Sequence, residues 1–252
     1  MDDPALSADE LQRALRGLSR LNRVSGVASA MWKLIERELT LAHAQNAASQ
    51  GQPAGAKGGV PTGDVLTILD AATGSGDVPL AMATLARSRG ISVRLNLTDL
   101  RPEMLSVAGE RARRAGIDAT LSTWDVLGGG TPPPAQDVVT CSLFLHHVPQ
   151  QAIVPALHRL AASARRLLVV VDLFRSPSSY ALVALASRLV TRSPVVHQDA
   201  LLSVRAALTP AELQSAAQHA GLSGARVVPM FPCRMALVWH AGEGVGAKRS
   251  RA

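Results

Sequence analysis

A chain of 252 residues, 47% hydrophobic and 18% charged, is sized for one large domain, alone or with a helical appendage, and carries enough apolar side chains to bury a core. It contains no uncharged apolar run of about 18 residues, which excludes a membrane-spanning helix, and its opening Met1-Asp2-Asp3-Pro4 has no apolar stretch or cleavage site to read as a signal peptide. The net charge of +7 fits a nucleic-acid or anionic-membrane partner, yet it is spread along the chain in arginines, with only Lys33, Lys57 and Lys248 as lysines and one local cluster at Lys248-Arg249-Ser250-Arg251. With seven aromatic residues there is little for bases to stack on, so the expected partner is a small molecule, with neither nucleic acid nor an integral membrane; the oligomeric state stays open.

In chain order, Ser7-Ala8-Asp9-Glu10 caps a helix over 7–20, with Leu11, Leu15 and Leu18 at helical spacing. A second amphipathic stretch covers 24–45, with Met31, Trp32, Leu34, Ile35 and Leu39 on its apolar face. Residues 1–45 thus form a helical arm. Gly51, Pro53, Gly55, Gly58, Gly59, Pro61 and Gly63 make 46–63 a flexible linker. From 64 to 241 strands and helices alternate, as in an α/β protein with a mostly parallel sheet. Strands are expected at 65–69, 91–97, around Thr120, at 137–141 and at 167–171, with helices at 78–88, 102–115 and 150–164 between them. Residues 176–207 interrupt this pattern as a cap insertion: an apolar helix from Tyr180 to Val190, then a polar loop. Thr209-Pro210-Ala211-Glu212 opens a further helix with a capping box. Two last strands, 225–230 and 234–240, have no helix between them and should form an antiparallel hairpin. Residues 242–252 read as a basic, disordered tail. Cys141 and Cys233 fall within strands and are expected as free, buried thiols, in keeping with a reducing cytoplasm.

The segment Leu69-Asp70-Ala71-Ala72-Thr73-Gly74-Ser75-Gly76-Asp77 joins a strand to a helix, where parallel sheets place their ligands. Glycines 74 and 76 let the chain turn sharply and approach a ligand closely, although a tight turn alone explains them as well. Pro79 stands where a dinucleotide fingerprint has its third glycine, and no Lys-Ser/Thr pair closes a phosphate loop. Asp70 at the strand end would repel a pyrophosphate and suits a cationic, zwitterionic ligand. Three more segments follow in order. Asp99 lies 29 residues after Asp70, before Leu100-Arg101-Pro102-Glu103-Met104-Leu105; a carboxylate there can accept from two vicinal hydroxyls or cap the next helix. Trp124-Asp125-Val126-Leu127 follows the third strand. Ser142-Leu143-Phe144-Leu145-His146-His147 follows the fourth.

These segments resemble the ordered motifs of class I S-adenosylmethionine-dependent methyltransferases. The first is similar to the variant found in ubiquinone/menaquinone-biosynthesis methyltransferases and the small-molecule enzymes around them. Ala72 stands where the common pattern has glycine. The resemblance implies a Rossmann-like seven-stranded sheet and S-adenosyl-L-methionine as cofactor. It implies a cofactor site of Asp70, Ala72, Thr73, Gly74, Ser75, Gly76, Asp77, Asp99, Leu100, Asp125, Val126, Ser142 and Leu143, with Asp99 on the ribose and Asp125 on the adenine amino group. His146 and His147 are candidate bases toward an acceptor, or packing residues at a strand end; His197 in the insertion is a third candidate, and Asp172 and Arg175 after strand five are possible substrate contacts. No His/Cys spacing suggests a metal. The expected reaction is methyl transfer to a hydrophobic phenol-, quinol- or polyketide-like acceptor, the apolar insertion residues Leu182, Val183, Leu185, Leu189 and Val190 lining its site. A nicotinamide-dependent oxidoreductase on the same architecture, or a non-catalytic cofactor-binding adaptor, are the competing readings.

Overall fold

Apolar runs ending at Asp70, Asp99 and Ser142 line up as parallel strands because helices cover both of their faces. The computed structural model describes residues 17, 19–20, 22–49, 65–128, 130–190 and 193–242. Its elements are α1 (Val27–Ser49), β1 (Leu66–Ala71), α2 (Asp77–Ser88), β2 (Val93–Asp99), α3 (Pro102–Ala115), β3 (Ala119–Thr123), β4 (Gln136–Ser142), a single 3-10 turn (Leu145–His147), α4 (Gln150–Ala162), β5 (Ala164–Leu173), α5 (Pro177–Val190), α6 (Pro194–Ala206), α7 (Pro210–His219), β6 (Arg226–Met230) and β7 (Arg234–His240). The seven strands run β3-β2-β1-β4-β5-β7-β6, with β7 antiparallel to both β5 and β6. The order reverses between β1 and β4, so the carboxyl ends of these two strands frame the crevice where an open α/β sheet binds its ligand.

Alternation along the strands builds two cores. Ile68, Leu95, Leu97, Val169, Val171 and Val238 face one way, under α1, α2 and α3. Leu69, Val139, Leu168, Val170 and Leu237 face the other, under α4 and α7. The arm is part of this packing: Met31, Trp32 and Ile35 of α1 are fully buried against the first face. The Thr209–Glu212 capping box forms as expected, each partner bonding the other's backbone.

Several expectations need correction. Helix α1 runs to Ser49, four residues into the supposed linker, and residues 50–64 lie outside those described, as do 1–16 of the first helix and 243–252 of the tail. The polar loop of the insertion is helix α6. Ser193 accepts from the Val196 amide as its N-cap, Pro194 sits in the first turn, and Val196, Ala200 and Val204 repeat every four residues, with Val196 and Val204 buried. In α5 the apolar residues divide: Leu185 and Leu189 are 58% and 77% exposed and point away from the protein. Cys141 is a buried strand residue, but Cys233 lies in the β6–β7 turn at φ +53, half-buried.

Candidate functional site

At the carboxyl edge of the sheet a cavity of about 510 Å³ opens between the β1–α2 loop, the ends of β2–β5, the β6–β7 turn and the helical roof. Its size is that of a ligand site. Asn22 and Ser25 from the arm, and Leu182, Val183, Ala186 and Ser187 with Asp199, Ala200 and Ser203 from α5 and α6, close it from above.

The β1–α2 loop is pinned to β2. The Thr73 amide donates to the Thr98 carbonyl at 2.8 Å, and the Gly74 amide donates to Asp99 Oδ2 at 2.8 Å. The other carboxylate oxygen of Asp99 accepts from the Arg101 amide at 2.9 Å. A carboxylate offers about four acceptor positions, so Asp99 keeps capacity for two hydroxyls facing the cavity. The two glycines differ in purpose. Gly74, at φ +54, has nothing within 4 Å of where a Cβ would stand, so the bare backbone faces the cavity. Gly76, at φ +75, would set a Cβ 3.2 Å from Ala108 and Leu80; it serves the close packing of α2 on α3 and does not line the cavity. Ala72 lines the cavity and holds φ +53, which accounts for the glycine common at this place in the resembling family.

Asp70 is buried behind the loop rather than in it. Thr140 Oγ1 donates to Asp70 Oδ1 at 2.6 Å, Oδ2 has no partner, and burial pushes the carboxyl up to about 6 despite that bond. Asp77 lines the cavity, but its carboxylate is taken up by Arg111, Ser75 and Ser19, the last tying the arm to the loop. Thr73, Ser75, Leu100, Val126, Ser142 and Leu143 all line the cavity. So does Asp125, whose Oδ1 accepts from the Leu127 amide at 2.8 Å, beside the buried ring of Trp124. Leu143 is held at φ +56 at the end of β4, a strained turn that aims the 3-10 turn at the cavity.

The histidines separate. The His146 side chain is 5% exposed; its Nδ1 lies 2.6 Å from Asp172 Oδ1, and its amide donates to Asp172 Oδ2 at 3.1 Å. With Asp172 accepting the Nδ1 proton, Nε2 is the lone-pair atom. Burial works against its charge, but Asp172 and Asp199 outweigh it and raise the imidazole above its ordinary range. His147 is exposed and also lines the cavity, its ring tilted by 42° against that of His146 with centroids 4.1 Å apart. His197 sits on α6 and is not among the lining residues; its neighbours Asp199, Ala200 and Ser203 are. Arg175 pairs with Glu212 at 2.6 Å on the surface and contributes nothing to the cavity. Arg234 at the head of β7 was not foreseen as a lining residue. A lone arginine opening an otherwise apolar buried strand was the signal for it.

This edge fits S-adenosyl-L-methionine in chemistry: open backbone at Gly74, carboxylates with acceptor capacity at Asp99 and Asp125, and an apolar wall at Trp124 and Val126. Residues 68–166 match the model of a methyltransferase domain. Over 54 residues the chain is 49% identical to the ubiquinone/menaquinone biosynthesis C-methyltransferase UbiE of Rickettsia felis, a match spanning 21% of this chain and only 20% of that protein. Among solved structures, an O-methyltransferase family 2 protein from Planctomyces limnophilus, in complex with apigenin, superposes with a TM-score of 0.58 at 18% identity, covering 95% of this chain and 63% of that one. Magnesium protoporphyrin IX methyltransferase from Synechocystis with bound SAH gives 0.51 at 15% identity, covering 87% and 86%. At these identities the structural likeness is one of fold. Residues 68–166 thus match a methyltransferase domain, and the seven-stranded sheet around them shares the fold of S-adenosylmethionine-dependent methyltransferases.

Proposed function

We propose that this protein transfers a methyl group from S-adenosyl-L-methionine to the hydroxyl oxygen of a phenol- or quinol-like acceptor, with His146 as the base. The observation that carries this reading is the buried His146–Asp172 pair at the edge of the crevice. When bound, the cofactor supplies an electrophilic methyl group on a sulfonium that leaves as a neutral thioether. Asp99 and Asp125 would orient its ribose and adenine, and Gly74 would admit it to the loop. Asp172 fixes the His146 ring and its tautomer, so Nε2 can accept the acceptor's hydroxyl proton. Asp172 then stabilises the imidazolium formed. Arm, α5 and α6 exclude water, leaving orientation as the other main contribution. Leu182, Val183, Ala186, Phe144 and Leu173 give the acceptor end an apolar lining.

Phenols ionise near 10, so a positioned base matters at neutral pH. His146→Gln should lower turnover of a phenol by about 10²–10⁴-fold at pH 7. That loss should shrink as pH rises and the phenol ionises in solution. Because a raised pKa keeps more imidazole protonated, wild-type turnover should climb with pH through a midpoint above the ordinary histidine range. Asp172→Asn removes the largest stabiliser of that charge and should move the midpoint to lower pH. Wild-type rates in His146→Gln from pH 6 to 9 would refute the base and leave catalysis by proximity.

A further inference from the structure

Several arginines among the described residues have an evident partner, from the half-buried Arg111 and Arg159 to the exposed Arg226. Arg111 meets Asp77, Arg226 meets Glu38, and Arg159 meets the carbonyls of Asp125 and Gly130. Arg234 does not. It is 7% exposed and lines the cavity, and its one hydrogen bond runs from a terminal nitrogen to Ser25 Oγ at 2.9 Å. The Ser25 hydroxyl itself donates to the Asn22 carbonyl, so it offers Arg234 a neutral oxygen and no charge. The Arg234 Nε has no partner, and the carboxylate that most helps to hold its charge, Asp172, is already bonded to His146. Burial lowers the guanidinium to about 10, which leaves it charged at neutral pH. A buried cation whose one hydrogen bond goes to a hydroxyl, and whose nearest carboxylate is committed to a histidine, recovers only part of the several kcal/mol of hydration it loses.

Its place in the sheet says which ligand would supply that charge. The cofactor crevice lies at β1 and β4, and β7 stands two strands beyond β4, about 10 Å away at ordinary strand spacing. Arg234 pairs in register with Leu173, the neighbour of Asp172 on β5. Consecutive strand residues face opposite sides, so Arg234 reaches this edge from the α1 face and Asp172 from the α4 face. The guanidinium therefore flanks the same end of the cavity as the His146–Asp172 pair.

We infer that Arg234 is the specificity residue for an acidic acceptor: the methylated molecule carries a carboxylate, or an equally ionised oxygen, that Arg234 and Ser25 hold while its hydroxyl faces His146. This rests on the proposed acceptor reading for the hydroxyl, but its test uses binding alone. The S-adenosylhomocysteine-loaded protein is titrated calorimetrically with 6-hydroxy-2-naphthoate and with the corresponding uncharged carboxamide. The acid should bind about 10- to 100-fold more tightly, the range of a charge-assisted hydrogen bond. Arg234→Gln should erase that preference and leave S-adenosylhomocysteine affinity within about twofold, while Arg234→Lys, which keeps the charge, retains part of it. Equal binding of acid and amide to the wild type would overturn the inference without recourse to a variant. A tenfold loss of S-adenosylhomocysteine affinity in a folded Arg234→Gln would overturn it too, assigning the arginine to the cofactor's own carboxylate. Undiminished turnover in His146→Gln would instead remove the base and leave the acid preference standing.

Discussion

The two ends of the cavity are built in opposite ways. At the end proposed for the cofactor, the lining groups sit within short segments: Ala72 to Ser75, Asp99 to Arg101, Trp124 to Leu127. Each segment leaves a parallel strand at its carboxyl end, so one local turn sets each side chain. At the end proposed for the acceptor, His146 meets Asp172 from 26 residues away, and Arg234 meets Ser25 across 209. Local turns carry their own sequence signature, whereas pairs brought together by the sheet order carry none. Cofactor chemistry on this architecture is therefore readable in a linear chain, and acceptor chemistry becomes readable only once β5 and β7 are neighbours.

The same contrast explains what the sequence made legible. Strand–helix alternation, the terminal hairpin and the Thr209–Glu212 cap depend on local pattern and composition, and each appears in the structure. Helix α6 was hidden because its inward side mixes Asp199 and Ser203 with Val196, Ala200 and Val204. A helix whose inner face interleaves polar and small apolar residues mimics a loop to a hydropathy count. Gly76 resembled a ligand glycine, yet its need comes from Ala108 on α3, a contact the sequence does not print. Asp70 looked like a ligand group and is one layer too deep, bonded to Thr140 on the adjacent strand.

If the cofactor end is locally built, single changes there should alter cofactor affinity and leave the pH profile of turnover in place. The largest such effect is expected from Asp99→Ala. Two charge-assisted bonds to ribose hydroxyls, at about 1.5–3 kcal/mol each, would go, lowering S-adenosylhomocysteine affinity by at least about 100-fold. Asp99 also accepts from the Gly74 and Arg101 amides, so the melting temperature should fall as well. Unchanged affinity in calorimetry, with a lowered melting temperature, would make Asp99 a loop clamp and nothing more.

A smaller effect is expected one residue range later. A Cβ on Gly128 would stand 2.5 Å from Asp125 Oδ2 and 2.9 Å from its Cγ, so Gly128→Ala must swing that carboxylate aside. Losing one adenine bond predicts about tenfold weaker S-adenosylhomocysteine binding. The analogue with purine in place of adenine, which lacks the amino group, should bind wild type and variant alike. An equal loss for both ligands would mean the loop, and not the Asp125 contact, had been damaged.

The smallest effect tests the one residue where this chain departs from the resembling pattern. Ala72 is held at φ +53, a conformation that sets its Cβ against the following carbonyl and costs about 1–2 kcal/mol relative to a right-handed one. Glycine adopts that conformation freely but gives the unfolded chain more freedom, which takes back part of the gain. The net expectation for Ala72→Gly is about 0.5–1 kcal/mol of added stability, or a rise of about 1–4 °C in melting temperature for a domain of this size. The Ala72 methyl also lines the cavity, so its removal should leave S-adenosylhomocysteine affinity equal or improve it, within about threefold. Thermal melts and calorimetry on the two proteins separate the contributions. A lower melting temperature would show that the methyl packs more than the turn strains. Weaker binding at a raised melting temperature would show that the cofactor end uses this methyl as a contact, so that even a locally built loop can be tuned by the ligand it holds.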